Sequence, residues 1–360
     1  MKKMVTLSLC MIVKNEELTL ARCLESAKTI ADEIIIVDTG STDKTKEIAK
    51  TFTDKIYDFE WIDDFSAARN FSFSKASMDY QMWLDADDVL PPDTITCIHD
   101  LKSNLLVHTD ADMVTMRYIT HFDNAGNPTF ESKRERLFKT SKNFKWEEPI
   151  HEVIPLVPNI IHSEAMIHHK KENFERTRDR NINIYLGLEA KRHTFNPRQL
   201  YYFARELQDH NQYAKAVYYY EKFLECGLGW KEDYIGSAFN LAYLYDQLGD
   251  YEKIPEMLTK TFIWDTPRPE ICTRMGYYFK HKNDYAMALK WFDLAVNLPR
   301  DESILGFTPT DFVSYIPNLE ACLCAYHLGL TERAIFYNEQ AALARETQAT
   351  TQNRIFFEGL

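Results

Sequence analysis

Apolar residues along the first half of the chain fall into two rhythms. The run at 5–13 is almost continuously apolar and suits a buried strand. Asn15, Glu16 and Glu17 then open an amphipathic helix with Leu18, Leu20, Ala21 and Leu24 at helical spacing. Glu33-Ile34-Ile35-Ile36-Val37 is a second continuous run, the pattern of a central parallel strand. It ends in Asp38-Thr39-Gly40-Ser41-Thr42-Asp43, a turn full of capping residues. Thr45, Ile48, Ala49 and Phe52 mark a second helix, and 55–58 a third short strand. This order predicts an α/β sheet with right-handed crossovers. Ligands of such sheets bind at the carboxyl ends of the strands. A further apolar run, Tyr80 to Leu84, ends in Asp85-Ala86-Asp87-Asp88, so these acids and Asp38 are expected to share one edge.

Beyond these elements the pattern predicts a strand at 112–120, a turn at Asp123-Asn124-Ala125-Gly126-Asn127-Pro128 and a strand at 134–139. From Asn181 the chain becomes helical and aromatic. Tyr213-Ala214-Lys215-Ala216, Tyr251-Glu252-Lys253-Ile254 and Tyr285-Ala286-Met287-Ala288 recur at intervals of 38 and 34, close to the roughly 34 residues of a tetratricopeptide helix pair, and an irregular fourth copy, Thr331-Glu332-Arg333-Ala334, comes 46 further on. Such pairs stack into a solenoid, and most of the aromatic residues are expected between repeats. The predicted architecture is therefore α/β plus all-α, with domains at 1–178 and 179–360.

Composition narrows the function. A net charge of −12 argues against a nucleic-acid binder. The seven cysteines are scattered without a CxxC pair, which suits a reducing cytosol without disulfides or structural zinc. No run of about 18 apolar residues exists, so no membrane span is expected. Met1-Lys2-Lys3 resembles a signal-peptide start, but Thr6 and Ser8 interrupt the run and Lys14-Asn15-Glu16-Glu17 follows it directly, so a cytoplasmic protein is expected.

The acids carry the candidate chemistry. An alternating backbone would aim Asp85 and Asp87 to one side, where hard oxygen ligands suit Mg²⁺ or Mn²⁺. Asp38 could accept from a base N–H or a sugar hydroxyl, or simply cap the next helix. Asp63-Asp64-Phe65-Ser66-Ala67-Ala68-Arg69-Asn70 brings an arginine that would hold a diphosphate or organise the acids. A nucleotidyltransferase would need a basic glycine-rich phosphate loop after the first strand, and Lys14-Asn15-Glu16-Glu17 is not one.

Four stretches, Met11 to Glu17, Val37 to Asp43, Asp64 to Asn70 and Leu84 to Asp88, resemble the ordered motifs of family 2 glycosyltransferases. The resemblance covers about half the chain. It implies the GT-A fold, with a Rossmann-like, mostly parallel sheet, and an Asp-x-Asp metal motif at Asp85 and Asp87. It implies a UDP-sugar donor contacted by Lys14, Asp38, Asp64, Arg69, Asp85 and Arg136, and a divalent Mn²⁺ or Mg²⁺ held by Asp87, Asp85 and His169. Trp146 to Glu152 is similar to a Gly-x-x-His-Glu element that completes the acceptor side, with Glu152 as base and His151 as orienter, metal ligand or alternative base. The glycine of that element is absent here. Asp179-Arg180-Asn181-Ile182-Asn183 and Phe203-Ala204-Arg205-Glu206-Leu207, with the repeats, resemble the peptide S-glycosyltransferases of glycopeptide bacteriocins.

Together these imply a metal-dependent inverting hexosyltransferase acting on a peptide, protein or glycan, with the helical domain as a candidate homodimer surface. The competing expectation is a non-catalytic tetratricopeptide scaffold with a degenerate nucleotide-sugar domain.

Overall fold

The computed structural model of the chain describes residues 4–105, 111–122, 128–155, 157–170, 179–299 and 310–359. The loop 123–127 of the expected turn lies outside them. The chain divides into two compact units, Met1–His193 and Thr194–Leu360.

The first unit is built on one mixed sheet. Its strands are β1 (Leu7–Val13), β2 (Glu33–Asp38), β3 (Ile56–Asp58), β4 (Tyr80–Trp83), β5 (Asp88–Val89), β6 (Met113–Phe122), β7 (Pro128–Lys139) and β8 (Ile160–His169). They lie in the order β3-β2-β1-β4-β7-β6-β8-β5. β3, β2, β1 and β4 run parallel, as the strand–helix alternation predicts. β7 joins antiparallel to both β4 and β6, and β5 antiparallel to β8, so the sheet as a whole is mixed.

Both faces of the parallel half are buried, which explains the unbroken apolar runs. Leu7, Leu9, Met11 and Val13 of β1 point to one core, with Leu20, Cys23, Leu24 and Ala27 of α1 (Leu20–Ala27). Cys10 points to the other, with Val37, Trp83, Phe138 and Trp146. Leu18 was expected on the helix, but the helix begins at Leu20 and Leu18 is exposed. The remaining helices of this unit are α2 (Thr45–Ala49), α3 (Phe65–Phe73), α4 (Pro92–Asp100) and α5 (Arg180–Ala190).

Helix α5 falls within the first unit, whereas the composition change suggested that the repeats begin at 179. Its contacts explain this. The Arg180 guanidinium lies 4.5 Å from the Phe65 ring, and Tyr185 stacks on His151 at 6.2 Å.

The second unit is a stack of helix pairs. These are α6 (Pro197–Asp209) with α7 (Tyr213–Cys226), α8 (Lys231–Leu248) with α9 (Lys253–Lys260), α10 (Pro269–His281) with α11 (Tyr285–Asn297), and α12 (Tyr315–His327) with α13 (Thr331–Ala344). Helix α14 (Gln348–Glu358) packs on the last pair.

The recurring tyrosines have a physical role. Tyr213 and Tyr285 open the second helix of their pairs and Tyr251 lies two residues before its own, and each meets a ring toward the end of the next pair's first helix: Tyr213 with Tyr243, Tyr251 with His281, and Tyr285 with His327. The last two are stacked, at 3.9 and 4.2 Å. Tyr219, Tyr220, Phe223, Tyr245 and Phe292 are buried as expected, whereas Tyr218 is exposed.

Gly276 lies where α10 and α11 cross, and a Cβ there would collide with the Phe292 ring. Both sides of that contact are buried. Gly276→Ala is therefore expected to cost about 1–3 kcal/mol of stability, measured by urea unfolding. An unchanged midpoint would show that the ring has room to move.

Candidate active site

The carboxyl ends of β1, β2 and β4 open into a cleft of about 630 Å³. Val13, Lys14, Thr39, Arg69, Trp83, Asp85, Asp87, Tyr118, Arg134, His151, Glu152 and His169 belong to its wall. The two loops after β1 and β2 lock together. The Asn15 N–H donates to Ser41 Oγ at 2.8 Å, and the Thr42 N–H donates to Asn15 Oδ1 at 2.7 Å. Asn15 pays for this with a left-handed backbone, φ 57°.

Asp38 ends β2 and is buried. Its Oδ2 accepts from the N–H groups of Gly40 and Ser41, at 3.2 and 3.0 Å. This is the local turn-capping role. Its Oδ1 is also buried but has no partner, and an orphan acceptor of that kind is costly.

Arg69 organises the acids. Residues 65–73 form α3, whose N-terminus is capped by Asp64 through the Ala67 N–H at 2.9 Å. Asp64 was expected at the donor; its Oδ1 is instead engaged in the cap and with Ser66 Oγ. One and a half turns on, Arg69 is buried between Trp83 and Trp146, 4.4 and 5.2 Å from their rings. Its Nη2 donates to Asp85 Oδ1 at 2.8 Å and its Nε to Glu152 Oε1 at 2.6 Å.

Burial alone would raise both carboxyls. The charges of Arg69 and Arg136 overcome it at Asp85, which falls to about 2. At Glu152 the charge and hydrogen bond of Arg69 likewise win, and its pKa is lowered. Both acids are thus ionised at neutral pH.

The expected alternation of Asp85 and Asp87 fails, because β4 ends at Trp83. The Asp88 N–H donates to the Asp85 carbonyl at 3.0 Å, closing a turn. Asp85 therefore faces Arg69, while Asp87 faces His169, with His169 Nδ1 3.2 Å from Asp87 Oδ1. Asp88 opens β5, and its register opposite His169 brings the same Nδ1 within 3.2 Å of Asp88 Oδ1. Donor atoms of Asp87, Asp88 and His169 lie within 4.8 Å of one another. Among the described residues this is the group that could hold an ion, so Asp88 stands where Asp85 was expected.

Two carboxylates and an imidazole fit a divalent cation, Mn²⁺ better than Mg²⁺ because of the nitrogen ligand. Without one, burial would lower the His169 imidazole, but the two aspartates raise it to about 10. His168 points the other way along the strand, to an edge contact with Phe122 at 4.9 Å.

Arg136 does not reach the cleft. It is wholly buried, its guanidinium 3.7 Å from Trp83 and 4.4 Å from Tyr118, and its Nη1 donates to Asp88 Oδ2 at 3.0 Å. Arg134, two residues earlier, lines the cleft instead, 5.6 Å from the Trp83 ring. The sequence places both on one face of β7, and only packing separates the buried from the cleft-lining arginine.

The segment from Trp146 to Glu152 keeps a glycine-like backbone without the glycine. Glu148 has φ 76° and His151 φ 53°, both left-handed. The Glu147–Val153 bridge closes the loop, and the Phe65 N–H donates to the Pro149 carbonyl at 2.8 Å, tying it to α3.

No described helix is long and apolar enough to cross a membrane. Residues 8–171 match the family model described as Glycosyl transferase family 2. A TPR repeat-containing protein of Synechococcus elongatus is 36% identical over 151 residues, 42% of this chain and 36% of that one. The SPbeta prophage-derived glycosyltransferase SunS of Bacillus subtilis is 29% identical over 231 residues, 60% of this chain and 53% of that one. The chain thus spans about half or less of these relatives. Among solved structures, Staphylococcus aureus TarS 1–349 aligns over 78% of this chain and 92% of that one, at 12% identity and a TM-score of 0.38, too distant to carry a conclusion. It is this stretch of 8–171, holding the sheet and the acids at its edge, that is similar to the family 2 glycosyltransferases.

Proposed function

We propose that this chain is a metal-dependent inverting hexosyltransferase, moving a sugar from a UDP-sugar to a peptide or protein acceptor held partly by the helical repeats. The observation that carries the reading is that Asp87 and His169, grouped with the buried Asp88, open on the same cleft as the ion-paired Asp85, Arg69 and Glu152. An ion held by Asp87, Asp88 and His169 would neutralise charge on the leaving diphosphate.

The protein groups divide the remaining work. Asp38 keeps one oxygen free for a nucleobase N–H. Lys14 and Arg134 supply positive charge at the cleft wall. Glu152, ionised and held in place by Arg69, takes the acceptor proton as the acceptor attacks the anomeric carbon. Attack from the face opposite the leaving group inverts that centre. The similarity to bacteriocin peptide S-glycosyltransferases supports a peptide acceptor, although the same architecture also serves other acceptors.

Glu152→Gln tests the base. Glutamine keeps an oxygen for Arg69 Nε but cannot accept the proton. UDP affinity is expected to stay within about threefold, while transfer from a UDP-sugar panel falls about 10²–10⁴-fold. Transfer at the wild-type rate would remove Glu152 from the reaction and leave His151 as the next candidate.

A further inference from the structure

Cations of the helical unit mostly carry a carboxylate. Arg268, at the start of α10, grips Glu232 with both Nη atoms, at 2.7 and 2.9 Å, and also holds Asp265. Arg345 binds both oxygens of Asp311, and Arg354 both of Glu339. Lys280 pairs with Glu320.

Arg274, further along α10, differs. Among the described residues its guanidinium has no ion-pair partner, and its Nε is buried with no hydrogen bond. Its neighbours are rings: Phe239 at 4.3 Å, Phe312 at 5.1 Å and Tyr243 at 5.4 Å. Phe239 and Tyr243 are one turn apart on α8, which packs beside α10. Phe312 ends the short turn Thr310–Phe312 and meets Phe239 edge-on at 5.1 Å. All four side chains keep part of their surface open to solvent.

A guanidinium in this setting has lost water without gaining an anion. Burial pulls it down from its ordinary value to about 10, with Tyr277, Asp246 and Tyr243 offsetting only part. It remains charged at neutral pH, and its planar donor fork is unused. The aromatic walls hold that fork in one orientation. The shape that completes it is a planar oxyanion, gripped through two parallel N–H···O bonds.

We propose that Arg274, framed by Phe239, Tyr243 and Phe312, is a docking point on the helical repeats for a side-chain carboxylate of an acidic peptide. Docking forms no covalent bond and needs neither donor nor metal. It therefore stands or falls separately from the transfer reaction.

The test is a titration of the full chain with acetyl-tetraglutamate amide, followed at the arginine Nε–H resonances by NMR. Acetyl-tetraglutamine amide and inorganic phosphate serve as the comparison ligands. The Arg274 signal, assigned by its loss in Arg274→Met, is expected to shift saturably, with Kd about 1 mM or tighter. Tetraglutamine should leave it in place. Arg274→Lys, which keeps the charge but not the fork, should bind at least about fivefold more weakly, followed at the backbone amide resonances of Phe239 and Tyr243 in both proteins. No shift with tetraglutamate, or equal affinity in the lysine variant, overturns the proposal. Phosphate binding as tightly as the peptide would make the site a general anion trap and also overturn it.

Discussion

Asp87→Ala is expected to reduce sugar transfer by about 10²–10³-fold while leaving the protein folded. The magnitude follows from the several kcal/mol that a divalent ion contributes to a departing diphosphate, at about 1.4 kcal/mol per tenfold in rate. The choice of residue follows from burial. Asp88 is fully buried and bonded to Arg136 and to the Asp85 N–H, so removing it would injure the fold as well as the ion site. Asp87 reaches the cleft, and its recorded ionic neighbour is His169. The alanine variant should also lose Mn²⁺ binding by calorimetry, with a thermal midpoint close to wild type. Equal turnover in the two proteins, across a panel of UDP-sugars with Mn²⁺, would end the metal-dependent reading. A wild-type chain that binds Mn²⁺ and UDP yet transfers nothing would favour the scaffold alternative.

Much of this site is legible in the sequence because it depends on short-range order. The continuous runs at Leu9–Val13 and Ile34–Val37 specify parallel strands, and a parallel sheet brings its carboxyl ends to one edge. Asp38, Arg69, Asp85 and Asp87 can be placed from that argument. The resemblance to family 2 adds their roles. What escapes is set by long-range register. Asp88 joins Asp87 and His169 because β5 lies against the end of β8, a pairing between residues far apart in sequence and only two residues long. The turn that begins at Asp85 breaks the strand period, so counting alternate residues from Trp83 misdirects Asp85.

Arg134 and Arg136 show the same limit from another side. Strand periodicity puts them on one face, and nothing local says that Trp83 and Tyr118 will enclose only the second. In the helical unit the repeated tyrosines are visible as a period, whereas their stacking on His281 and His327 depends on neighbouring repeats. Glu148 is the subtlest instance. Its missing glycine casts doubt on the local backbone, yet the chain adopts φ 76° there. The surrounding bridge and the Phe65–Pro149 hydrogen bond hold a conformation that residue type alone disfavours.

Arg136→Met should cost about 3–5 kcal/mol of stability, the usual penalty for stripping one partner from a buried ion pair. Both side chains of the Arg136–Asp88 pair are fully buried. Methionine fills similar space between Trp83 and Tyr118, so the loss is chiefly electrostatic: the Asp88 carboxylate stays in place without its cation. The pair is not itself an economical source of stability. Arg136 Nε and Nη2 are buried without partners, each an unmet donor worth about 1–3 kcal/mol. Replacing both members should therefore recover much of the loss, so Arg136→Met combined with Asp88→Asn is expected to be more stable than Arg136→Met alone. The same double variant should bind Mn²⁺ more weakly, since it lacks one carboxylate ligand. That combination, stability regained and metal affinity lost, would mean that the chain keeps a costly buried arginine in order to hold the Asp88 side chain beside Asp87 and His169. If Arg136→Met unfolds within about 1 kcal/mol of wild type, or the double variant is no more stable than the single one, the arginine has no such role.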